Sequence, residues 1–422
     1  MRRLKSELTL DQYVSSAMSS NQFAGKADEL FKLKQGLMGE VGGLFSGIKK
    51  ASRDALTDAE AVVAAEEIGD SLWYLFAVAK QQRIKMPALI AATLAEIAEI
   101  LGVSPPQGRA GEASFRRVTG FVNTSKSSAR PGEKVALQRL AERVGSLVAS
   151  PSATLPSVAG VFADLGLLAH SLSLDLEEIA LQNIEKVNAR WPKGRATPTP
   201  LFDAKSPIGE QLPRRIWVRF EEKEVGSVKY VYISVNGVNV GDRLTDNSHT
   251  ADDYRFHDVF HLAYAAYLGW SPVLRALLKK KRKSSSATDE NEDGARAIII
   301  EEGISTWMFN LGRDHRLFEG VKAEAFSYSL LKQVKSLVNG YEVDQCQPWE
   351  WANAILRGFE VFRKLKTKRG GYVLADLQGR KITYKGLQEV DERIEYKEVR
   401  RSTGKSKPRK RVQSVRKRVR AS

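Results

Sequence analysis

The sequence predicts a mainly α chain: an N-terminal all-α helical bundle, a smaller α+β module with β-hairpins, and a disordered basic tail. Three observations carry this. Apolar residues recur at helical spacing through residues 8–192, the period shifts to that of strands over 214–245, and a Pro- and Gly-rich stretch lies between.

In the first part, helices are expected at Leu30–Ile48, Ala59–Ala79, Ala88–Leu101, Lys134–Val148 and Leu174–Val187. Pro105, Pro106 and Gly108 break the chain after the third, and a Ser-rich loop, Ser125–Pro131, precedes the fourth. The fifth opens with Asp175, Glu177 and Glu178, acids that suit the positive end of a helix dipole, and Trp191-Pro192 stops it. Residues 193–213 hold Pro198, Pro200, Pro207 and Pro213 and read as a linker. Strands are expected at Arg215–Phe220 and Tyr230–Val235, with Asn236-Gly237 as a type I′ turn. Helices return at about 252–268, 291–311, 321–339 and 348–366 before a hairpin around Gln378-Gly379. The expected domains are 1–192, with about 92–160 as an insertion, then 214–396 and a tail from 397. No internal repeat of fixed period is evident.

The chain has 422 residues and a net charge of +16, but 11 of the basic residues lie in Arg400–Arg420, where there is no acid. The rest is close to balanced, so the fold itself is not strongly basic. The tail has no aromatic side chain for base stacking, so weak, non-specific nucleic-acid binding is the most it is expected to do. A single cysteine, Cys346, excludes an internal disulfide framework and multi-cysteine zinc sites. No signal peptide or membrane span is predicted, so a cytoplasmic protein without membrane attachment is expected.

Two segments concentrate acids among small residues. One is Gly36-Leu37-Met38-Gly39-Glu40-Val41-Gly42-Gly43-Leu44, followed by Lys49 and Lys50; the other is Glu66-Glu67-Ile68-Gly69-Asp70-Ser71-Leu72-Trp73-Tyr74. On a helix Glu67 and Asp70 share a face, as can Glu66 and Asp70. Carboxylates gathered from two helices suit Mg²⁺, which takes oxygen ligands and bridges to phosphates.

These segments, with Leu176-Glu177-Glu178-Ile179 and Asn183, Lys186 and Arg190 after them, resemble the MazG-like all-α nucleoside triphosphate pyrophosphohydrolases, the phage-type members above all. The resemblance covers roughly residues 8–191 and implies a MazG-like helical bundle. It implies hydrolysis of an NTP or dNTP to the monophosphate and pyrophosphate, with Mg²⁺ or Mn²⁺ as cofactor. Carried over, the metal ligands and catalytic acids are Glu40, Glu67 and Asp70, with Lys49, Lys50, Asn183 and Lys186 as substrate-binding residues. The family pattern has a fourth acid where this chain has Gly43, so a weakened enzyme or a nucleotide-binding sensor is the alternative. MazG-like modules often assemble, which implies a homo-oligomer.

Beyond the linker, His257 and His261 stand one helical turn apart, and Asp293, Glu301 and Glu302 follow on a later helix. Two imidazoles and a carboxylate make a candidate second metal site, for an unspecified metal, with Arg255 and Arg296 to serve an anion. The segment lacks the glutamate of a His-Glu-x-x-His motif. A metal-dependent hydrolase centred here is a further alternative. Lys279–Lys283 reads as a solvated, mobile basic loop.

Overall fold

The computed structural model describes residues 7–55, 59–106, 113–192, 194 and 196–387. The expected basic tail lies outside them. The chain divides into two compact units, one ending at Ala196 and one beginning at Thr197.

The first unit is all-helical: α1 Leu10–Ala17, α2 Glu29–Arg53, α3 Glu60–Gln81, α4 Met86–Leu101, α5 Phe115–Thr124, α6 Glu133–Ala149, α7 Leu155–Ser171 and α8 Leu176–Arg190. Local chemistry sets several ends. Thr9 and Gln12 form a capping box on α1, and Asp175 accepts from the N–H of Glu178 at 2.9 Å to start α8. Tyr13, Phe76, Phe115 and Phe162 meet edge-to-face at the centre, with centroids 5.2–6.0 Å apart. Such pairs add about 0.5–1.5 kcal/mol each beyond their buried area.

Helices α2–α3–α4 and α6–α7–α8 are built alike. α2 packs on α3 as α6 packs on α7, and α4 packs on α7 as α8 packs on α3. The turns that follow α3 and α7 close the same way. The N–H groups of Gln82, Arg83 and Ile84 donate to Val78, Lys80 and Ala79, and those of Leu172, Ser173 and Leu174 donate to Leu168, His170 and Ala169. Arg83 and Ser173 share φ values of 57° and 58°. Leu37, Val41, Gly42 and Leu44 correspond to Leu140, Val144, Gly145 and Leu147. Leu37 to Leu140 is an offset of 103 and Arg83 to Ser173 one of 90, so no fixed period reveals the likeness. Residues 92–160, expected as an insertion, contribute Leu94, Val118, Leu140, Val144 and Val158 to the unit's core.

In the second unit, β1 Arg215–Val225, β2 Val228–Val235, β3 Val238–Asn239, β4 Gly370–Asp376 and β5 Lys381–Gly386 form one antiparallel sheet in the order β3-β2-β1-β4-β5. The two expected hairpins are joined by β1–β4 pairing, with Val218 opposite Val373. Asn236 and Gly237 both take positive φ, 52° and 74°, as a type I′ turn requires. The helices are α9 Asp258–Leu268, α10 Pro272–Leu277, α11 Ser286–Asn291, α12 Ala295–Asp314, α13 Tyr328–Leu337 and α14 Pro348–Lys368. α9 and α14 pack together over β4 and β5, burying Phe260, Phe359 and Phe362.

Two expectations for this unit change. The stretch expected as a linker is held against it: Thr199 donates to both Glu350 oxygens (2.9 and 2.8 Å), and buried Asp203 accepts from Leu212 N, Arg214 and Arg275. The basic run is not simply solvated either. Arg282 is 3% exposed and grips buried Asp293 and the Glu342 carboxylate at 2.7 Å each. Its neighbours can stay in water; a guanidinium with two carboxylate partners need not.

Among the described residues, no single helix is long and apolar enough to cross a membrane.

Candidate functional site

In the first unit, α2 brings Glu40 beside Glu67 of α3, close enough for each carboxyl group to act on the other's pKa. α8 closes the cluster from the other side. Its Asn183 donates to Asp70 Oδ1 at 2.9 Å, and its Lys186 ammonium lies 2.5 Å from Asp70 Oδ2 and 2.8 Å from Glu66 Oε1. Tyr13 of α1 donates its hydroxyl proton to Asn183 Oδ1 at 2.9 Å, which fixes the amide so that its NH₂ faces Asp70. Gly69 permits this close approach: a Cβ there would stand 3.3 Å from Ile179 and 3.4 Å from Asn183.

The cluster is rich in negative charge. Burial pushes the Glu40 carboxyl up to about 7, and the nearby Asp70 and Glu67 charges add to the rise while Lys186 opposes it. Glu67 is raised in the same way, by burial first and then by Asp70 and Glu66. Burial works against charged Lys186, but Asp70 and Glu66 outweigh it and hold the ammonium above its ordinary range. Carboxylates that repel one another in a half-buried place favour any cation that can share them.

Gly43, where the resemblance places a fourth acid, has its own geometry. A Cβ at 43 would stand 2.5 Å from Glu67 Oε2 and 2.9 Å from its Cδ. The Glu67 carboxylate therefore occupies the space that a side chain at 43 would need. Lys49 and Lys50 stand exposed at the end of α2, nine and ten residues past Glu40, or about 14–15 Å along the axis.

The second half of the bundle holds the opposite arrangement at the corresponding place. Arg143 stands at the position of Glu40 and pairs with Asp164 Oδ2 at 2.8 Å and Glu96 Oε2 at 2.9 Å; Arg139 adds a 3.1 Å bond to Asp164. Gly160, at the position of Asp70, leaves room for the Arg143 guanidinium. There each acid is paired with an arginine, unlike the crowded acids of the first half.

In the second unit, His257 precedes α9 directly and His261 lies one turn in, while Glu301 and Glu302 sit side by side on α12. The structure separates the two acids. Glu301 is buried and accepts from Ser271 Oγ (2.6 Å) and Val273 N (2.8 Å) as it holds His261 Nδ1 at 2.8 Å. Glu302 is half-exposed and faces the other nitrogen of both rings. Burial lowers the pKa of His257, and Asp258 and Glu302 only partly offset this. Burial also acts on His261, but Glu301 and Glu302 overcome it and raise its pKa. Among the described residues, His257, His261 and Glu302 are the group of three metal-ligating side chains with ligand atoms all within 4.8 Å of one another. The acids of the first unit do not form such a group; they are engaged in pairs, Glu40 with Glu67 and Asp70 with Lys186.

Three expected members of the second site lie elsewhere. Asp293 precedes α12 and is taken by Arg282. Arg255 is buried and bonded to Glu222, Asp246 and Asp253, so its guanidinium ties β1 to the loop before α9. Arg296 is exposed on the first turn of α12. Spacing alone places residues on a helix face; it does not show which neighbour has already claimed them. Sequence reasoning missed Tyr13, a single aromatic in a short helix, and Asp258, whose carboxylate lies 3.2 Å from His257 Nε2.

No curated protein and no solved structure matches the chain. Residues 197–388 match the family described as the MazG C-terminal domain, which supports a MazG-family relationship through the second unit.

Proposed function

We propose that the first unit is a nucleotide pyrophosphohydrolase that cleaves a nucleoside triphosphate between its α and β phosphates. The observation that carries this reading is the meeting of Glu40, Glu66, Glu67 and Asp70 from α2 and α3 with Asn183 and Lys186 from α8. The match of the second unit to the MazG C-terminal domain supports it independently.

The crowded acids would suit a divalent cation once their carboxylates turn from their present partners toward one centre. Burial, and then the neighbouring Asp70 and glutamate charges, raise the pKa values of Glu40 and Glu67 against the pull of Lys186. Glu40, Glu67 and Asp70 would hold Mg²⁺, with Glu66 beside them. When bound, Mg²⁺ neutralises phosphate oxygens and lowers the pKa of the attacking water. The chain's own groups do the rest. Lys186 can turn from Asp70 to a phosphate oxygen, and Asn183, set by Tyr13, offers an N–H donor at the same place. A carboxylate of the cluster left free of the ion would take the proton of the attacking water. Water adds to the α-phosphorus as its bond to the bridging oxygen breaks, giving the monophosphate and pyrophosphate. The site draws α2, α3 and α8 from one chain, so the expected homo-oligomer is not needed to complete it. The cytoplasmic setting belongs to the same proposal.

Glu67→Gln and Asp70→Asn test it. Pyrophosphate release from a panel of NTPs and dNTPs with Mg²⁺ should drop by at least about 100-fold in each, the loss of roughly 2.7 kcal/mol of transition-state stabilisation. Nucleotide binding without release in the unsubstituted protein would favour the sensor reading.

A further inference from the structure

The second unit carries a cluster that the proposed hydrolysis does not use. His257 and His261 are both buried, 5% and 1% exposed. Each ring has its Nδ1 committed to an acceptor. His257 Nδ1 lies 3.0 Å from the carbonyl of Tyr254, and His261 Nδ1 lies 2.8 Å from the Glu301 carboxylate. A carbonyl only accepts, and a carboxylate buried among other donors does the same, so both Nδ1 atoms carry hydrogen. In the neutral rings the lone pairs are then on Nε2. The two Nε2 atoms both face the Glu302 carboxylate, His261 Nε2 at 3.4 Å from Oε1 and His257 Nε2 at 3.9 Å from Oε2, and His257 Nε2 also has Asp258 Oδ1 at 3.2 Å.

His261 Nε2 is fully buried and makes no hydrogen bond, its nearest acid oxygen being Glu302 Oε1 at 3.4 Å. A buried polar atom aimed at a shared centre calls for a ligand. The spacings suit one. In a tetrahedral site with bonds of about 2.0–2.1 Å, neighbouring ligand atoms lie about 3.3 Å apart. The surroundings hold the rings in place. Tyr254 stacks on His257 with centroids 4.2 Å apart and planes 4° from parallel, and Glu301 is itself fixed by Ser271 and Val273. A carboxylate or carbonyl on the far nitrogen of each imidazole is the arrangement that orients metal-binding histidines.

We propose that His257 Nε2, His261 Nε2 and the Glu302 carboxylate hold a divalent transition-metal ion of the Zn²⁺ class. Imidazole with a single carboxylate suits Zn²⁺ better than Mg²⁺, which prefers oxygen throughout. Three protein ligands leave a position open, and half-exposed Glu302 puts that position on the solvent side. Water or an anionic oxygen fills it. Asp258 adjoins the site, its Oδ1 3.2 Å from His257 Nε2, and is the carboxylate nearest to that nitrogen. Glu301 is a positioning residue that acts through His261.

The test uses the full chain, stripped of metal and titrated with Zn²⁺, and with Co²⁺ as a coloured probe. The unsubstituted protein should take up one ion per chain at this site and give the visible absorption of nitrogen-ligated Co²⁺. Glu302→Gln, at a half-exposed position where folding is not at stake, should weaken binding by more than about 100-fold, and Glu301→Gln by about 10–100-fold. His257→Ala with His261→Ala should abolish the Co²⁺ absorption. Glu67→Gln and Asp70→Asn should leave the visible absorption of nitrogen-ligated Co²⁺ unchanged, which separates this site from the proposed hydrolytic one. Equal uptake by the unsubstituted protein and Glu302→Gln, or a Co²⁺ spectrum that survives loss of both histidines, would overturn the proposal.

Discussion

The carboxylate of Glu67 stands where a side chain at position 43 would have to go, 2.5 Å from an added Cβ. In the sequence Gly43 reads as a lost ligand. In the structure it is also the space into which Glu67 reaches from the neighbouring helix. The glycine and the glutamate therefore act as a pair, and what is done to one is felt by the other.

Gly43→Ala should displace the Glu67 carboxylate without unfolding the bundle, since the clashing atoms are the end of a flexible side chain. Misplacing a reacting group by about 1 Å can cost on the order of 100-fold in rate, and a loss of that order in pyrophosphate release is expected. Gly39→Ala is the control. A Cβ there meets nothing within 4 Å, so activity should hold and stability should rise by up to about 1 kcal/mol. Steady-state rates and thermal melts of both variants check this; a fully active Gly43→Ala would count against Glu67 as a working ligand.

Lys186 bridges Asp70 and Glu66. Removing its charge with Lys186→Met leaves the acids uncompensated. Mg²⁺ binding, followed by calorimetry, should then hold or strengthen, while nucleotide affinity should fall by roughly tenfold or more, the worth of a charge-assisted hydrogen bond of about 1.5–3 kcal/mol. Parallel loss of both affinities would instead indicate general damage to the site.

Arg282 is the buried partner of Asp293 and Glu342. Arg282→Ala would leave buried Asp293 with only the backbone N–H of residue 282 and a 3.6 Å contact to Arg275. Breaking one side of a buried pair costs about 3–5 kcal/mol, and chemical denaturation should show a loss of that size. Lys281→Ala, next to it in the same basic run, should change little.

Arg369, at the end of α14, bonds Glu222 and Asp253, the same two acids that hold Arg255, and acid stability should report this clamp. Burial would raise the pKa of Glu222 and of Asp253, but hydrogen bonds from Arg369 and the Arg255 charge outweigh it and hold both below the usual carboxylate range. The unfolded chain then binds protons first as the pH falls. The stabilisation is fully present above pH ~4–5 and is lost as acid titrates through the unfolded and then the folded values. Unfolding free energies across pH 3–6 check it: Glu222→Gln should be destabilised at pH 6 and should flatten the acid limb.

How much of this was legible depends on what each element shows to water. The amphipathic helices α2, α3, α4, α6 and α8 were each located to within a few residues, because one face of each is solvated. α7 escaped notice because Val158–Ala169 is buried on every side and so has no polar stripe to set a period. The likeness of the two half-bundles escaped for another reason: unequal connections shift the offset from 103 to 90. Within the candidate site, the helical spacing of Glu67 and Asp70 and the pattern around Glu40 were readable. That Lys186 would already hold Asp70, that Glu301 would support His261 while Glu302 faces both rings, and that Arg282 would turn inward all depend on neighbours distant in sequence. Periodicity carries no information about them.

The most direct measurement is the identity of the products when the unsubstituted protein is incubated with Mg²⁺ and each common NTP and dNTP. The account expects at least one nucleotide to give its monophosphate and pyrophosphate in equal amounts. Diphosphate with free phosphate, or no turnover of any nucleotide, would contradict it.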